Sequence, residues 1–284
     1  MRDAPLDAKV RLGRAGLRPK KSWGQNFLSD SSVHESIADA IGAGPDTTVV
    51  ELGAGLGALT HYLLARGSRV VAIERDRELI PLLREHFEGV DTLEVVEANA
   101  ATLSYSGLAA RLGGALRVAG NLPYQISSRI LVSLADSADS VERAVVLVQR
   151  EVADRLAAPP GGKTRGLLSV LVQRRFHVER LRVVAPGAFH PPPKVHSAVA
   201  RLTRTEHRID PHCDALLVEL ARLGFASRRK NLRNGLKVQL GASVAETLLV
   251  EAKIESTRRA ETLSIEEWNE LANVWLSMKA KAEG

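Results

Sequence analysis

Short apolar runs alternate with stretches at helical spacing through the first 150 residues, and this alternation restricts the chain to few folds. The runs 47–52, 69–74, 93–97, 116–119 and 144–148 are short and largely aliphatic, as buried strands are. Between them, Leu59, Leu63 and Leu64, then Leu79, Leu82, Leu83 and His86, and the segment 126–134, recur as one face of a helix does. Each helix returns the chain to the same end of the sheet, so successive strands run parallel. The succession breaks after about residue 175, where 176–184 and 197–203 read as two strands able to pair as a hairpin at the sheet edge. From about 205 the pattern is helical only: Leu216, Leu217, Leu220 and Leu223, then Leu232, Leu236 and Leu240. Ser264 and Glu267 form a capping box ahead of Leu271, Val274, Trp275 and Met278. The expectation is a Rossmann-like α/β domain over 1–204 and a small all-helical domain over 205–284.

The first strand runs into Gly53-Ala54-Gly55-Leu56-Gly57. A glycine-rich turn between strand and helix lets the backbone approach a ligand and points helix N–H groups at it. Glu74 ends the second strand, where a carboxylate can accept from both hydroxyls of a ribose. Glycines and acid together fit a nicotinamide dinucleotide or S-adenosylmethionine equally. Two residues separate the two. Glu51 puts a carboxylate beside the turn, which is unfavourable for a pyrophosphate and better tolerated by a cationic sulfonium. Asn99 follows the third strand, where its oxygen can accept from an adenine amine. The expected cofactor is S-adenosylmethionine, bound by Glu51, Gly53, Gly55, Glu74 and Asn99.

Asn121-Leu122-Pro123-Tyr124 follows the fourth strand. An Asn side-chain oxygen and a backbone carbonyl ahead of a proline both accept from an amine. Pro123 sets its own φ and biases Leu122 to extended geometry, which sets the direction of the Leu122 carbonyl. Tyr124 offers a flat face. The four residues suit amino-group chemistry on a nucleobase. Taking the base out of its stack costs about a few kcal/mol, and stacking on Tyr124 returns roughly 1–3 kcal/mol. No histidine or carboxylate near the motif stands as a strong base. A nitrogen that grows acidic as it is methylated does not require one. Phe189, held by the prolines behind it, is a candidate second wall for the base.

Charge is segregated along the chain. Residues 31–149 carry nine Lys/Arg and fifteen Asp/Glu, whereas 150–204 carry eleven and three, and the first thirty carry seven and three. Basic flanks around a less basic middle suit a nucleic-acid partner. Ser227-Arg228-Arg229-Lys230-Asn231-Leu232-Arg233-Asn234 concentrates four cations at a helix start, where the dipole does not favour them. Arg174, Arg175, Arg180, Arg182, Lys194, Arg201 and Arg204 add to the basic set. The lone Cys213 fits a reducing, cytoplasmic setting, and no apolar run is long enough for a membrane span. Eight histidines show no metal-ligand spacing, and His207 and His212 are expected at the surface.

Six motifs stand in order: Gly24-Gln25-Asn26-Phe27-Leu28, Glu51-Leu52-Gly53-Ala54-Gly55, Ile73-Glu74-Arg75-Asp76, Asn121-Leu122-Pro123-Tyr124, Phe189-His190-Pro191-Pro192-Pro193-Lys194-Val195 and Arg228-Arg229-Lys230. In this order they resemble the bacterial small-subunit ribosomal RNA adenine dimethyltransferase family over nearly the whole chain. The resemblance implies transfer of methyl groups from S-adenosylmethionine to two adjacent adenosines near the 3′ end of small-subunit rRNA. The implied substrate is an immature 30S-type particle, and a monomer is expected. It also implies that Asn26 and Leu28 touch the cofactor from the N-terminal segment. Gly53 would line its methionine portion, Glu74 its ribose and Asn99 its adenine, with Asn121 between cofactor and target base. Three positions depart from the family. Asn99 stands where Asp is usual, Gln125 where Asn is usual, and His196 where an acid is common. A related large-subunit rRNA methyltransferase would usually have Ile in place of Leu122 and lack this helical tail. A binding protein that merely keeps the fold is opposed by the intact 121–124 motif.

Arg228, Arg229, Lys230, Arg233 and Lys194 are the residues expected to bind RNA. Reversing the charge of Arg228, Arg229 and Lys230 together is expected to weaken subunit binding. It should also flatten the slope of log affinity against log salt by roughly 2–3. An unchanged slope would return the cluster to the solvated surface.

Overall fold

A computed structural model describes residues 7–205, 210–226 and 230–283. Strands form where the apolar runs lie. The N-terminal part contains α1 (Ala8–Arg14), β1 (Phe27–Leu28), α2 (Ser31–Ile41), β2 (Thr48–Leu52), α3 (Ala58–Ala65), β3 (Arg69–Glu74), α4 (Leu79–His86) and β4 (Leu93–Glu97). There follow α5 (Tyr105–Leu112), β5 (Leu116–Asn121), α6 (Ser127–Asp136), β6 (Val141–Gln149), α7 (Arg150–Leu156) and α8 (Leu167–Gln173). Then come β7 (Phe176–Val184), β8 (Phe189–His190), β9 (Ser197–Arg204), α9 (Pro211–Phe225), α10 (Leu232–Leu240), α11 (Ala242–Glu251) and α12 (Ile265–Glu283). None of the described helices is long and apolar enough to cross a membrane.

Seven strands form one sheet in the order β4-β3-β2-β5-β6-β9-β7. The five N-terminal members are parallel, and β9 is antiparallel to both β6 and β7. The expected edge hairpin is therefore present, with β9 inserted between β6 and β7. The strand order reverses between β2 and β5, so the crevice for a ligand opens at their C-terminal ends. Those ends are Leu52, leading into the glycine turn, and Asn121. β2 and β5 approach closely: a Cβ on Gly120 would stand 2.5 Å from the Leu52 carbonyl oxygen. Val49, Leu63, Val70, Ala119 and Val145 form the core on one face of this sheet with Ile37 and Ile41 of α2. A separate two-stranded ladder pairs β1 with β8, Leu28 opposite Phe189.

The chain forms two units. One comprises the residues up to Ala153 together with Phe176–Arg204; the other comprises Asp154–Arg175 together with the residues from Thr205 onward. The expected boundary at 204/205 is one of the crossing points, but 154–175 departs from the expectation that it lies in the first domain. Its packing explains why. Val170 is buried in a core with Leu217, Leu220, Leu248 and Trp268. Arg174, its side chain 1% exposed, donates from Nε to Asp214 of α9 at 2.7 Å. Arg165 donates to the Ala158 and Leu263 carbonyls. The capping box at α12 is formed as its sequence suggests: Ser264 N–H donates to Glu267 and Glu267 N–H to Ser264 Oγ.

Two glycines separate strain from crowding. Gly57 begins α3 at φ +83°, and a Cβ there would meet Phe87 Cε2 at 2.4 Å and Leu83 Cδ1 at 2.7 Å. Gly89 has φ +77° with nothing within 4 Å of a Cβ. Gly57→Ala is expected to lose about 3 kcal/mol of stability from strain plus overpacking, and Gly89→Ala about 1 kcal/mol from strain alone. Urea unfolding followed by circular dichroism measures both.

Candidate functional site

A cavity of about 310 Å³ opens where β2, β3 and β5 end. It is lined by the glycine turn, by Glu74 and Arg75, by Asn99, by residues 121–124 and, from the N-terminal segment, by Asp7, Ala8, Arg11 and residues 23–29. Glu74, 7% exposed, is already engaged by backbone. Gly55 N–H donates to its Oε2 at 2.8 Å, and Arg75 and Asp76 N–H donate to Oε1 at 2.7 and 2.8 Å. The carboxylate thus pins the glycine turn to the end of β3, and the lone pair left on Oε2 is available to a ligand hydroxyl. Asn99 Oδ1 accepts from Ala101 N–H at 3.0 Å, which fixes the amide in the cavity wall.

Glu51 differs from the expected anion. It is 2% exposed and accepts from Thr60 Oγ1 at 2.5 Å. Burial pushes its carboxyl up to about 8; the Thr60 bond opposes this and the charge of Glu74 adds to it. At neutral pH Glu51 is an acid until a cation comes beside it.

The residues of the 121–124 motif all line the cavity. Asn121 Nδ2 donates to the Asn26 carbonyl at 2.8 Å, which leaves Oδ1 for an incoming amine. Leu122 is buried and its N–H donates to the Leu147 carbonyl at 3.0 Å. Among the described residues none donates to the Leu122 carbonyl. The Tyr124 hydroxyl bonds Ser197 Oγ of β9 at 2.5 Å, and burial raises its pKa, so the phenol stays protonated.

The N-terminal segment is more deeply involved than its sequence indicated. Asn26 and Leu28 line the cavity as expected, and so do Arg11, Trp23 and Gln25. Arg11 donates to the Leu56 carbonyl and, at 2.9 Å, to the Leu82 carbonyl. The Arg75 guanidinium lies 3.8 Å from the Trp23 ring centre. Asp76, 2% exposed, accepts from Lys20 Nζ at 2.6 Å and Gln25 Nε2 at 2.7 Å. Burial alone would raise the Asp76 pKa, but Lys20, the Glu78 N–H and Gln25 together hold it below the usual carboxylate range. Asp76 follows Glu74 closely in sequence, yet its side-chain partners Lys20 and Gln25 lie some fifty residues earlier, and no local spacing reveals them.

Phe189 does not take the place expected of it. It is 4% exposed, packs in the core with Leu28, Val184 and Val199, and is absent from the cavity wall. Its pairing opposite Leu28 turns it inward, so it supports β1. Several basic residues are also committed internally. Arg233 is ion-paired with Glu246, Arg201 with Glu179, and Arg182 donates to Ser32. Lys194 and Lys230 are exposed. Arg228, Arg229 and His207 lie outside the described residues.

A parallel sheet with its crevice at the order reversal, a glycine turn held by an acidic residue and a proline-fixed amide motif define an S-adenosylmethionine-dependent methyltransferase of Rossmann-like fold. Residues 16–276 match the model of the ribosomal RNA adenine dimethylase family. The chain belongs to that family. It is 47% identical over 281 residues to ribosomal RNA small subunit methyltransferase A of Anaeromyxobacter sp. (strain K), covering 94% of this chain and 97% of the relative. The protein of that name from Myxococcus xanthus is 44% identical, with 90% and 91% covered. Among solved structures, a dimethyladenosine transferase from Plasmodium falciparum superposes with a TM-score of 0.71 at 23% identity, covering 90% of this chain and 98% of that one. The 23S rRNA methyltransferase ErmE superposes at 0.65 with 27% identity, covering 88% and 99%.

A carboxyl whose folded pKa lies above its unfolded value is favourable below the unfolded pKa. That contribution is lost as pH rises through about 8, because the unfolded chain ionises first. Glu51→Gln removes this penalty. Without cofactor, its thermal midpoint should match wild type near pH 5 and exceed it by about 5 °C or more at pH 8.5. Scanning calorimetry at the two pH values is the check; equal midpoints at both would mean that Glu51 is not a buried acid.

Proposed function

We propose that this chain transfers methyl groups from S-adenosylmethionine to N6 of two adjacent adenosines near the 3′ end of small-subunit rRNA, giving N6,N6-dimethyladenosine at each. The observation that carries the reading is the Asn121 amide. One of its two N–H donors is taken by the Asn26 carbonyl, which orients the amide and leaves Oδ1 free to accept from the substrate. An exocyclic amine offers donors to that oxygen and to the Leu122 carbonyl. Those two bonds turn the nitrogen lone pair outward toward the glycine turn.

The residues present fit the cofactor. A Cβ on Gly53 would stand 3.7 Å from the Asn121 carbonyl oxygen, so glycine keeps open the gap between turn and motif. Glu74 suits a ribose hydroxyl and Asn99 an adenine edge: its Oδ1 already accepts from Ala101 N–H, and its Nδ2 can donate to a ring nitrogen where the usual Asp would place a second oxygen. Glu51 lies where it can ionise beside a cation. Bound there, S-adenosylmethionine supplies a methyl group made electrophilic by its sulfonium. The protein's share is alignment: Tyr124, tied to Ser197, offers the stacking face, and Asn121 holds the amine. The proton lost from nitrogen needs no dedicated base in the protein.

The small-subunit relatives at 44–47% identity support that substrate over the large-subunit one, for which the likeness is 27%. The exposed Lys194 and Lys230 and the basic cluster at 228–229 are assigned to rRNA phosphates within an immature subunit. The protein acts in this reading as a cytoplasmic monomer.

Purified protein is expected to transfer labelled methyl to immature small subunits lacking these modifications, and not to large subunits. Confirmed cofactor binding with no transfer to small subunits would overturn the reading. Asn121→Ala should lower turnover by at least about 100-fold while sparing subunit affinity; unchanged turnover would remove its assigned role.

A further inference from the structure

One hydrogen-bonded path joins the cofactor side of the cavity to its acceptor side. Gly55 N–H donates to Glu74 Oε2, and Glu74 Oε1 accepts from Asp76 N–H. The Asp76 side chain accepts from Gln25 Nε2 at 2.7 Å, and Gln25 Oε1 accepts from Lys20 N–H at 2.8 Å. The next residue, Asn26, offers its carbonyl to Asn121 Nδ2. Gln25 is thus anchored at both ends of its amide, and the backbone immediately after it decides which way the Asn121 amide faces. If the Asn26 carbonyl were displaced, the Asn121 amide would be free to flip. It would then present donors to a substrate amine that needs acceptors.

We propose that Asp76 and Gln25 are positioning residues for the transfer, holding the Asn26 carbonyl where it orients the Asn121 amide. The inference rests on the methyl-transfer reading and assigns the device that makes the acceptor side competent. It also ties that side to the glycine turn through Glu74, so one clamp serves both substrates.

The pair permits an exchange of donor and acceptor. Asp76→Asn keeps Oδ1, which accepts from Lys20 Nζ and Glu78 N–H, but turns an amine toward Gln25 Nε2. Gln25→Glu keeps Oε1 for Lys20 N–H but sets a carboxylate oxygen against Asp76 Oδ2. Each single variant breaks the bond between residues 76 and 25, and Asp76→Asn also replaces the Lys20 ion pair by a bond to a neutral oxygen. The double variant restores the bond between residues 76 and 25 in the opposite sense, with the same net charge as wild type. Each single variant should lose about tenfold or more in kcat at saturating cofactor and subunit, with KM for the subunit unchanged. The double variant should return to within about threefold of wild type. Deuterium uptake over residues 20–28, measured without substrate, should rise in each single variant and fall back in the double. A double variant no faster than the singles, singles as fast as wild type, or a change confined to KM for cofactor would each overturn the proposal. An inactive wild type would defeat the methyl-transfer reading instead. The deuterium arm would then decide whether the Asp76–Gln25 bond holds the segment.

Discussion

The Glu74 carboxylate is the constraint on which the cavity depends. A buried anion is costly unless fully hydrogen-bonded, and this one is supplied with three backbone N–H donors from Gly55, Arg75 and Asp76. The same bonds do two jobs. They satisfy the charge, and they fix the glycine turn after β2 against the end of β3. The turn in turn faces Asn121 at the end of β5, so the spacing between donor and acceptor sides is set by strand ends and not by loops. Rigid elements at the order reversal of the sheet are where such precision is available.

The N-terminal segment completes this arrangement from outside the sheet. It contributes a wall of the cavity, yet its own fold is slight: α1, a short turn and two residues of β1. Both polar and apolar contacts hold it. Lys20 and Gln25 meet the buried Asp76, Arg11 meets carbonyls at Leu56 and Leu82, and Arg75 stacks on Trp23. The apolar contribution is the burial of Leu12 of α1 against Leu56 and Leu79, the contact of Phe27 with Gly55, where a Cβ would stand 3.3 Å from the ring, and the pairing of Leu28 with Phe189. Phe189 therefore matters to the site through β1, even though it is not a wall for a base.

Charge along the sequence overstated charge at the surface. The excess of cations over 150–204 is real. But Arg174 is buried on Asp214 and the half-buried Arg201 is paired with Glu179, whereas Arg204 stays exposed while it donates to the Ala138 and Asp139 carbonyls. A guanidinium satisfied by fixed internal acceptors is a structural group that happens to be positive. Segment charge identifies a class of partner, and only exposure and pairing identify which residues can meet it.

What was legible in the sequence follows from the range of each interaction. Strand and helix periodicity is local, and every strand of the sheet stood near its expected place. The edge hairpin was legible for the same reason. The allegiance of 154–175 was not, because it rests on Arg174 finding Asp214 forty residues later and on Val170 entering a core built by α9 and α12. Motif chemistry was legible as residue type: an amide at Asn121, acids at Glu51 and Glu74. The state of each was not. Residue type alone makes Glu51 an anion, whereas burial makes it an acid. The Asn121 oxygen faces a substrate because a carbonyl ninety-five residues earlier accepts from one N–H of its amide and so orients it. An amide carries both polarities, and which one faces the cavity is decided by the partner that occupies the other. The functional content of Asn121 therefore resides as much in the placement of Asn26, and in Gln25 and Asp76 behind it, as in the motif that made it conspicuous.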